Sequence, residues 1–380
     1  MASTHSPERP LRIMHFVTGG FSGATQVAVD LACAAQQDGM DVVLVLRKKR
    51  NTNQQKIEAL QAKGLDVRVV SNFLHVLTVR ELRKQIREWR PDVVFAHGFS
   101  DHIWGRQAAV AEKVPHIFHV EHNSRERYTP RRLRQALDLA PLTQASIGVS
   151  EGVKFSLIAR GFPAQRCIAI PNGIDLERFP QSGQPTTWSQ REAKIIMASR
   201  FAKQKDHFTL LQALAILKKK GVVPVLELAG GGSARLQKKA QQLVEQLGLQ
   251  TQVRFLGSVN DLPQRLSRVQ VFVLATHWEG MPLALVEGMA AGCACVGSGV
   301  VGVQEVIEDQ KNGLLVPECD AAELALAIEK LLTGTALAEQ LGAKARHDAL
   351  ENYGREKMWG RYKELIETTV LTSDHLHVDA

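Results

Sequence analysis

The sequence predicts an α/β chain built as two doubly wound parallel-sheet domains, and three observations carry that expectation. Short β-rich apolar runs alternate with amphipathic helical stretches, the alternation occurs twice, and the two series are separated by an aperiodic stretch, PQSGQPTTWSQRE at 180–192. A length of 380 residues favours two cores over one, and 44% hydrophobic with 23% charged residues is the composition of a globular chain.

In the first series LRIMHFV (11–17) is the opening strand, and TQVAVDLACAAQQDG (25–39) is an amphipathic helix ended by Gly39. A strand at 40–46, a helix at 57–64 and a strand at 65–70 follow. The helix at 77–91 is stopped by Pro91, which has no N–H to continue the ladder. Strands are expected at 92–98, 116–122 and 144–150, and CIAIPNGID (167–175) closes the half. The second series places strands at 193–199, 222–230, 251–257, 269–275, 293–298 and 313–318. Helices are expected at 207–221, 234–248, near 261–267, and at 283–292, 321–334 and 335–350. REKMWGRYKELIETTV (355–370) reads as one more helix beyond the second sheet, and the last ten residues as a frayed end.

Composition excludes several classes. The stretch MASTHSPERP lacks an apolar core and reads as a loose leader rather than a secretory signal. No window approaches 18 uninterrupted apolar residues, so the expectation is a cytoplasmic chain. Five cysteines form neither a CxxC pair nor a zinc spacing, and no D-x-D or ligand-spaced His/Asp/Glu cluster stands out, so no metal is expected. The net charge is +8, and the whole excess falls in residues 1–185, with 25 Lys/Arg against 17 Asp/Glu. Nucleic acid is a poor partner because no reading module or aromatic-interleaved basic stripe accompanies the charge. An anionic acceptor or membrane surface suits it better, with Arg125, Arg127, Arg131, Arg132 and Arg134 as the densest cluster and Arg47, Lys48, Lys49 and Arg50 as a second; an ordinary solvated basic face is the other reading.

The stretch richest in chemistry is ATHWEGMPLALVEGMAAG (275–292). A strand ends in small residues, a loop with Gly280 and Pro282 follows, and a helix starts where Pro is best tolerated. Its free N–H groups can hold an anion such as a diphosphate. Glu279 in the loop and Glu287 in the helix stand about 8–12 Å apart by helical rise, far enough to grip two different groups. Arg200 and Lys205 follow the strand at 193–199, where two cations can neutralise a diphosphate leaving group. Gly230, Gly231 and Gly232 follow the next strand. In the first half Gly19, Gly20 and Gly23 separate the opening strand from its helix without the G-x-G-x-x-G spacing of a dinucleotide site, and His97, His119 and His122 lie at strand ends.

The 275–292 stretch closely resembles the E-x7-E region of retaining glycosyltransferases of family 4, and the resemblance covers nearly the whole chain, most strongly 193–317. It implies a GT-B arrangement of two Rossmann-like domains facing across a cleft. Residues 1–185 would bind the acceptor, 186–354 the nucleotide-sugar donor, and 355–380 would form a C-terminal helix that can pack back on the first domain. By the same resemblance Glu279 contacts the donor sugar, Glu287 the ribose, and Arg200 and Lys205 the diphosphate. Gly280, Met281, Pro282 and Leu283 would lie against sugar and phosphate, with Gly231 and Gly232 near the nucleotide and Gly23 the best match to a first-domain phosphate turn. His122 would stand near the donor sugar, with His97 and His119 as rivals, and Asn172 of PNGID would face the cleft. Ser199, Ala294 and Gln304 depart from the family pattern without removing a reacting group.

The activity implied is transfer of a hexose or N-acetylhexosamine, with retention and without metal or cofactor. The donor would be a nucleotide diphosphate sugar, UDP-linked by family base rate, and the acceptor a glycan or lipid-linked hydroxyl at the inner face of the cytoplasmic membrane. A sugar-nucleotide epimerase of the same fold and a non-catalytic nucleotide-sugar or polyanion binder are the competing readings.

Overall fold

A computed structural model describes residues 9–50, 52–98, 101–126, 128–179 and 188–378, with side chains as far as 370. Arg127 and most of the aperiodic stretch, 180–187, lie outside the described residues. The chain divides into two compact units, one of residues 1–172 with 355–380 and one of 173–354.

The first unit holds a seven-stranded sheet ordered β3-β2-β1-β4-β5-β6-β7, parallel throughout. Its strands are β1 (Arg12–Thr18), β2 (Asp41–Arg47), β3 (Asp66–Val70), β4 (Val93–His97), β5 (His116–Glu121), β6 (Ala145–Gly148) and β7 (Cys167–Ala169). The helices between them are α1 (Gly23–Gln37), α2 (Gln54–Ala62), α3 (His75–Trp89), α4 (Asp101–Ala111), α5 (Pro130–Asp138) and α6 (Glu151–Ala159). Parallel strands covered by helices on both faces are apolar without alternation, and DVVLVLR of β2 is buried at six consecutive positions. Met14, Phe16, Val43, Val45 and Val94 meet Leu82 and Ile86 of α3 and Ile103 and Ala108 of α4 in one core. Each of these side chains larger than alanine stabilises the fold by about 1.5–3 kcal/mol.

The second unit repeats the plan with six parallel strands in the order β10-β9-β8-β11-β12-β13. These are β8 (Glu192–Ala198), β9 (Val225–Ala229), β10 (Val253–Gly257), β11 (Val269–Leu274), β12 (Ala294–Ser298) and β13 (Leu314–Val316). Its helices are α7 (His207–Lys219), α8 (Ala234–Gln246), α9 (Leu262–Leu266), α10 (Leu283–Ala290), α11 (Val301–Gln304), α12 (Ala321–Thr333) and α13 (Thr335–Asn352).

The last helix, α14 (Arg355–Val378), belongs to the first unit, and its backbone stays helical through the stretch expected to fray. Trp359 Nε1 and Lys363 Nζ donate to Asp38 Oδ2 beyond α1 at 2.8 and 2.9 Å, and the buried Tyr362 meets Phe95 edge-on at 5.5 Å. Among the described residues no helix is long and apolar enough to cross a membrane.

In both sheets the strand order reverses between the first strand and the one that returns beside it: β1 and β4, then β8 and β11. Crossovers leave such a pair of neighbouring strands toward opposite sides and open a crevice at their carboxyl ends. That rule directs attention to the residues that follow these four strands.

Candidate active site

In the second unit Arg200 and Lys205 follow β8, and Glu279 follows β11. Because these strands are neighbours, the two loops are laced together: His277 N–H donates to Gln204 O at 2.9 Å, and Lys205 bridges Thr276. The Glu279 side chain is buried, and its carboxylate is held by three groups. Lys205 Nζ pairs with Oε1, Thr276 Oγ1 lies 2.8 Å from the same oxygen, and Gln204 Nε2 donates to Oε2 at 3.0 Å. Gln204 also donates to Trp278 O at 2.7 Å, so one amide fixes both the loop and its acid. The sugar-directed acid and the phosphate-directed lysine of the expectation are thus joined to each other, while Arg200 stands exposed at the exit of β8.

The glycines after β9 shape that exit. Gly230 and Gly232 have φ of +142° and +127°, and a Cβ on Gly230 would lie 2.1 Å from Ser199 O. A side chain at 230 therefore meets backbone it cannot displace cheaply, and the turn needs glycine for conformation and for space. Gly231 O accepts from Phe201 N–H at 2.7 Å, which anchors the segment that carries Arg200.

Gly280 and Met281 are buried, and α10 begins after Pro282 with no side chain capping its first turn; Leu285 and Val286 N–H donate back to Pro282 O at 3.0 and 3.2 Å, and the N–H groups of Leu283 and Ala284 are the ones offered to a ligand. Gly302 in α11 supports this loop from behind: a Cβ there would approach Gly280 O to 2.4 Å. Glu287, within α10, meets Arg178 Nη1 at 3.1 Å. Burial pushes its carboxyl up, and the Arg178 charge opposes that shift.

In the first unit three imidazoles stand in file. His15 Nδ1 is 3.0 Å from His97 Nε2, and His97 Nδ1 is 3.2 Å from His122 Nε2. Each neutral ring has one N–H, so fixing the tautomer at one end fixes all three. Burial lowers all three: His15 and His122 to about 3, and His97 well below the usual histidine value. Two of the rivals from the sequence therefore share one chain, and the third, His119, does not belong to it.

His119 lies in a second network. Arg106, fully buried, can only donate, so His102 Nδ1 accepts from its Nη2 at 2.9 Å, and His102 Nε2–H donates to Tyr128 Oη at 2.7 Å. Tyr128 Oη in turn donates to Glu121 Oε2 at 3.2 Å, and Glu121 Oε1 accepts the N–H groups of His122 at 2.9 Å and Asn123 at 3.3 Å. Burial raises Glu121 to about 7. His119 stacks on His102 with centroids 3.9 Å apart.

The fold also brings together metal-type ligands that sequence spacing did not reveal. His102, His119 and Glu121 form one trio and Asp206, His277 and Cys319 another, each with ligand atoms within 4.8 Å. Parallel strands and strand-end loops place residues far apart in sequence side by side, which is why no local spacing announced them. In the first trio both His102 nitrogens are already committed to Arg106 and Tyr128, so its chemistry is that of a hydrogen-bonded relay. In the second, His277 Nδ1 lies 2.9 Å from Glu318 and 3.5 Å from Cys319 Sγ, while its Nε2 faces Asp206 Oδ2 at 4.0 Å.

The remaining expected residues scatter. Gly23 opens α1 and is exposed, Asn172 is buried where the first unit ends, and Arg125, Arg131 and Arg132 lie on the segment from 125 into α5. Gln204, Thr276, Arg178, Gly302 and His15 were missed by sequence reasoning; only the pairing of β8 with β11 and of β1 with β4 could have pointed to the first two and the last.

The histidine chain has a measurable consequence for stability. Its folded-state values lie below those of the unfolded chain, so the unfolded state takes up protons first as pH falls. The stability these groups contribute is present above about pH 6.5 and is lost as pH falls toward 3, with a slope of about 1.4 kcal/mol per pH unit for each such group. His15→Gln keeps a hydrogen-bonding group beside His97 and removes one titration. Melting temperatures of the variant between pH 6.5 and 4 should fall less steeply than those of the parent; parallel curves would refute the account.

Comparison with known proteins fits this geometry. The Glycosyltransferase Family 4 profile matches residues 21–178, and the profile of glycosyl transferases group 1 matches 180–348. The chain is a glycosyltransferase related to both families. The glycosyltransferase is 25% identical to the lipopolysaccharide core biosynthesis glycosyltransferase LpsE of Rhizobium meliloti, over 94% of this chain and 99% of that one. It is 24% identical to the Escherichia coli UDP-Gal:alpha-D-GlcNAc-diphosphoundecaprenol alpha-1,3-galactosyltransferase, over 83% of this chain and 86% of that one. Among solved structures, Anabaena HepE in complex with UDP and glucose superposes with a TM-score of 0.82 at 20% identity, over 94% of this chain and all of that one. That likeness gives the glycosyltransferase the pair of Rossmann-like parallel-sheet domains of the GT-B class.

Proposed function

We propose that the glycosyltransferase moves a hexose or N-acetylhexosamine from UDP to a hydroxyl of a glycan or lipid-linked acceptor, with retention of configuration and without a metal. The observation that carries this reading is the buried Glu279 carboxylate held by Lys205, Gln204 and Thr276 beside the uncapped start of α10. An anchored carboxylate can accept hydrogen bonds from sugar hydroxyls. The N–H groups at the start of α10, with Lys205 and Arg200, supply positive charge for a departing diphosphate. Glu287 in this reading takes the ribose hydroxyls and exchanges its contact with Arg178 for them. In a retaining front-side displacement the leaving phosphate oxygen removes the acceptor proton, so Glu279 and Glu287 bind and orient rather than act as acid and nucleophile. The family resemblance is what assigns His122 of the first unit to the sugar. UDP is supported as the carrier by the names of HepE complexes with UDP and UDP-glucose and of the galactosyltransferase relative. The latter's acceptor, and the part in lipopolysaccharide core synthesis named for LpsE, support a role in bacterial surface-glycan assembly.

The test is a panel of UDP-, GDP- and ADP-sugars incubated with the enzyme and a chelator and followed by proton NMR. Release of UDP from one donor with an initially α-configured sugar is the expected result. Interconversion of two sugar nucleotides would replace transfer with epimerisation, and turnover that requires added divalent ion would overturn the metal-free mechanism.

A further inference from the structure

The first unit contains a cavity of about 730 Å³ between α3, α4 and α5 that the histidine chain does not line. Among the described residues five arginines line it, Arg80, Arg83 and Arg87 from α3 and Arg131 and Arg132 from α5, with Trp104 of α4 among them and no carboxylate in the wall. The three arginines of α3 are spaced three and four residues apart, which puts them on one helical face. Their charge is poorly matched. Glu112 serves two of them, accepting from Arg83 Nε at 2.6 Å and from Arg87 Nη1 at 2.9 Å. Arg80 and Arg131 are exposed and make no ion pair among the described residues. Arg132 lies over the Trp104 ring at 5.5 Å, and Arg47, 4.7 Å from the same ring, already has Asp101 as its partner. A solvated basic face would let such side chains fan apart. Here two helices aim them into one concavity, where like charges repel unless an anion joins them.

The mouth of the cavity has a second character. Phe73, Leu74, Val76 and Leu77, at the start of α3, are 83%, 54%, 63% and 38% exposed, and Val76 also lines the cavity. Four large apolar side chains in five consecutive residues form a strip continuous with the arginine-lined wall. A small free anion has no use for that strip, and an apolar ligand has no use for the arginines. An amphiphile with a multiply charged headgroup uses both, and planar guanidiniums suit phosphate oxygens.

We propose that this groove seats the diphosphate of a lipid-linked acceptor, with the apolar chain laid along Phe73, Leu74, Val76 and Leu77. The proposal rests on the acceptor reading above and gives it a location: three arginines of α3 join two of the basic cluster legible in the sequence.

The test uses the full chain and calorimetric titration with farnesyl diphosphate, with inorganic pyrophosphate and with phosphatidylglycerol vesicles, and measures UDP affinity in parallel. Farnesyl diphosphate should bind about tenfold more tightly than pyrophosphate. The Arg80→Gln/Arg131→Gln variant should weaken both by about tenfold, a loss of roughly 1.4 kcal/mol, whereas Arg80→Lys/Arg131→Lys should retain part of it. Phe73→Ser/Val76→Ser should abolish only the preference for the prenyl chain. UDP affinity should be unchanged in every variant. Equal binding of the two diphosphates would reduce the groove to a site for free anions, and binding to vesicles alone would make it a membrane contact; either result overturns the proposal, as does an undiminished affinity in the Gln variant. A donor panel without turnover, alongside intact and arginine-dependent farnesyl diphosphate binding, would sink the transferase mechanism and leave the groove standing.

Discussion

Glu279→Ala should lower kcat/KM for the nucleotide-sugar donor by about 10²–10³, the loss seen when a preorganised polar contact to a reacting group is removed. The reason lies in the three partners of its carboxylate. Without it, the Lys205 ammonium, only 15% exposed, loses its counter-charge, and the Gln204 amide and Thr276 hydroxyl lose an acceptor. Breaking a buried pair from one side costs about 3–5 kcal/mol when no relaxation is possible, so the variant should also melt earlier. Glu279→Gln retains an acceptor oxygen for Lys205 and should separate the two effects, recovering stability while activity stays low. Because Lys205 and Glu279 act as one unit, Lys205→Met/Glu279→Ala should be little worse than Glu279→Ala alone. Additive losses in steady-state kinetics, or a fall below fivefold in Glu279→Ala, would remove this carboxylate from the catalytic machinery.

Arg106→Ala should be the most destabilising single change in the first unit, by about 3–5 kcal/mol in denaturant unfolding. Its guanidinium is wholly buried, and burial brings it down to about 10. It donates to His102 Nδ1, to Thr143 Oγ1 at 3.1 Å and to Ala136 O at 3.2 Å. Removal opens a cavity and leaves these three acceptors, and His102 O at 3.4 Å from Nε, without their donor, and it takes away a positive charge that faces Glu121. The pH dependence gives a further check. Glu121 is already raised to about 7, so its contribution to stability is present at low pH and is lost as pH rises through that value. Loss of the nearby cation raises it further, and the deficit of Arg106→Ala should therefore be larger at pH 8 than at pH 6. A deficit independent of pH would mean that Arg106 and Glu121 are not coupled.

How much of this was legible depended on whether a feature is local in the chain. The loop and helix from 275 to 292 could be read because strand end, glycine-proline turn, helix start and both glutamates lie within eighteen consecutive residues. The partners of Glu279 could not, since Gln204 and Lys205 reach it only through the pairing of β8 with β11. His15 hid inside an apolar strand, where nothing marks it until β4 brings His97 alongside. Helix α4 was not foreseen for a different reason. Asp101, His102 and Arg106 occupy buried positions and erase the apolar stripe by which a helix is recognised. The arginines of α3 were readable as one face of a helix, but their meeting with α5 was not, because α5 read only as a run of basic residues.

The chain leaves the first unit at Asn172 and re-enters it at Arg355, so the second unit is inserted into the first rather than appended to it. On the ribosome this sets an order. The second unit has all its strands in hand once residue 354 has emerged, whereas Asp38 and Phe95 wait for Trp359, Lys363 and Tyr362, which follow the whole of the second unit. The second unit can thus mature while the first, its seven strands already made, still lacks the helix that covers Asp38 and Phe95.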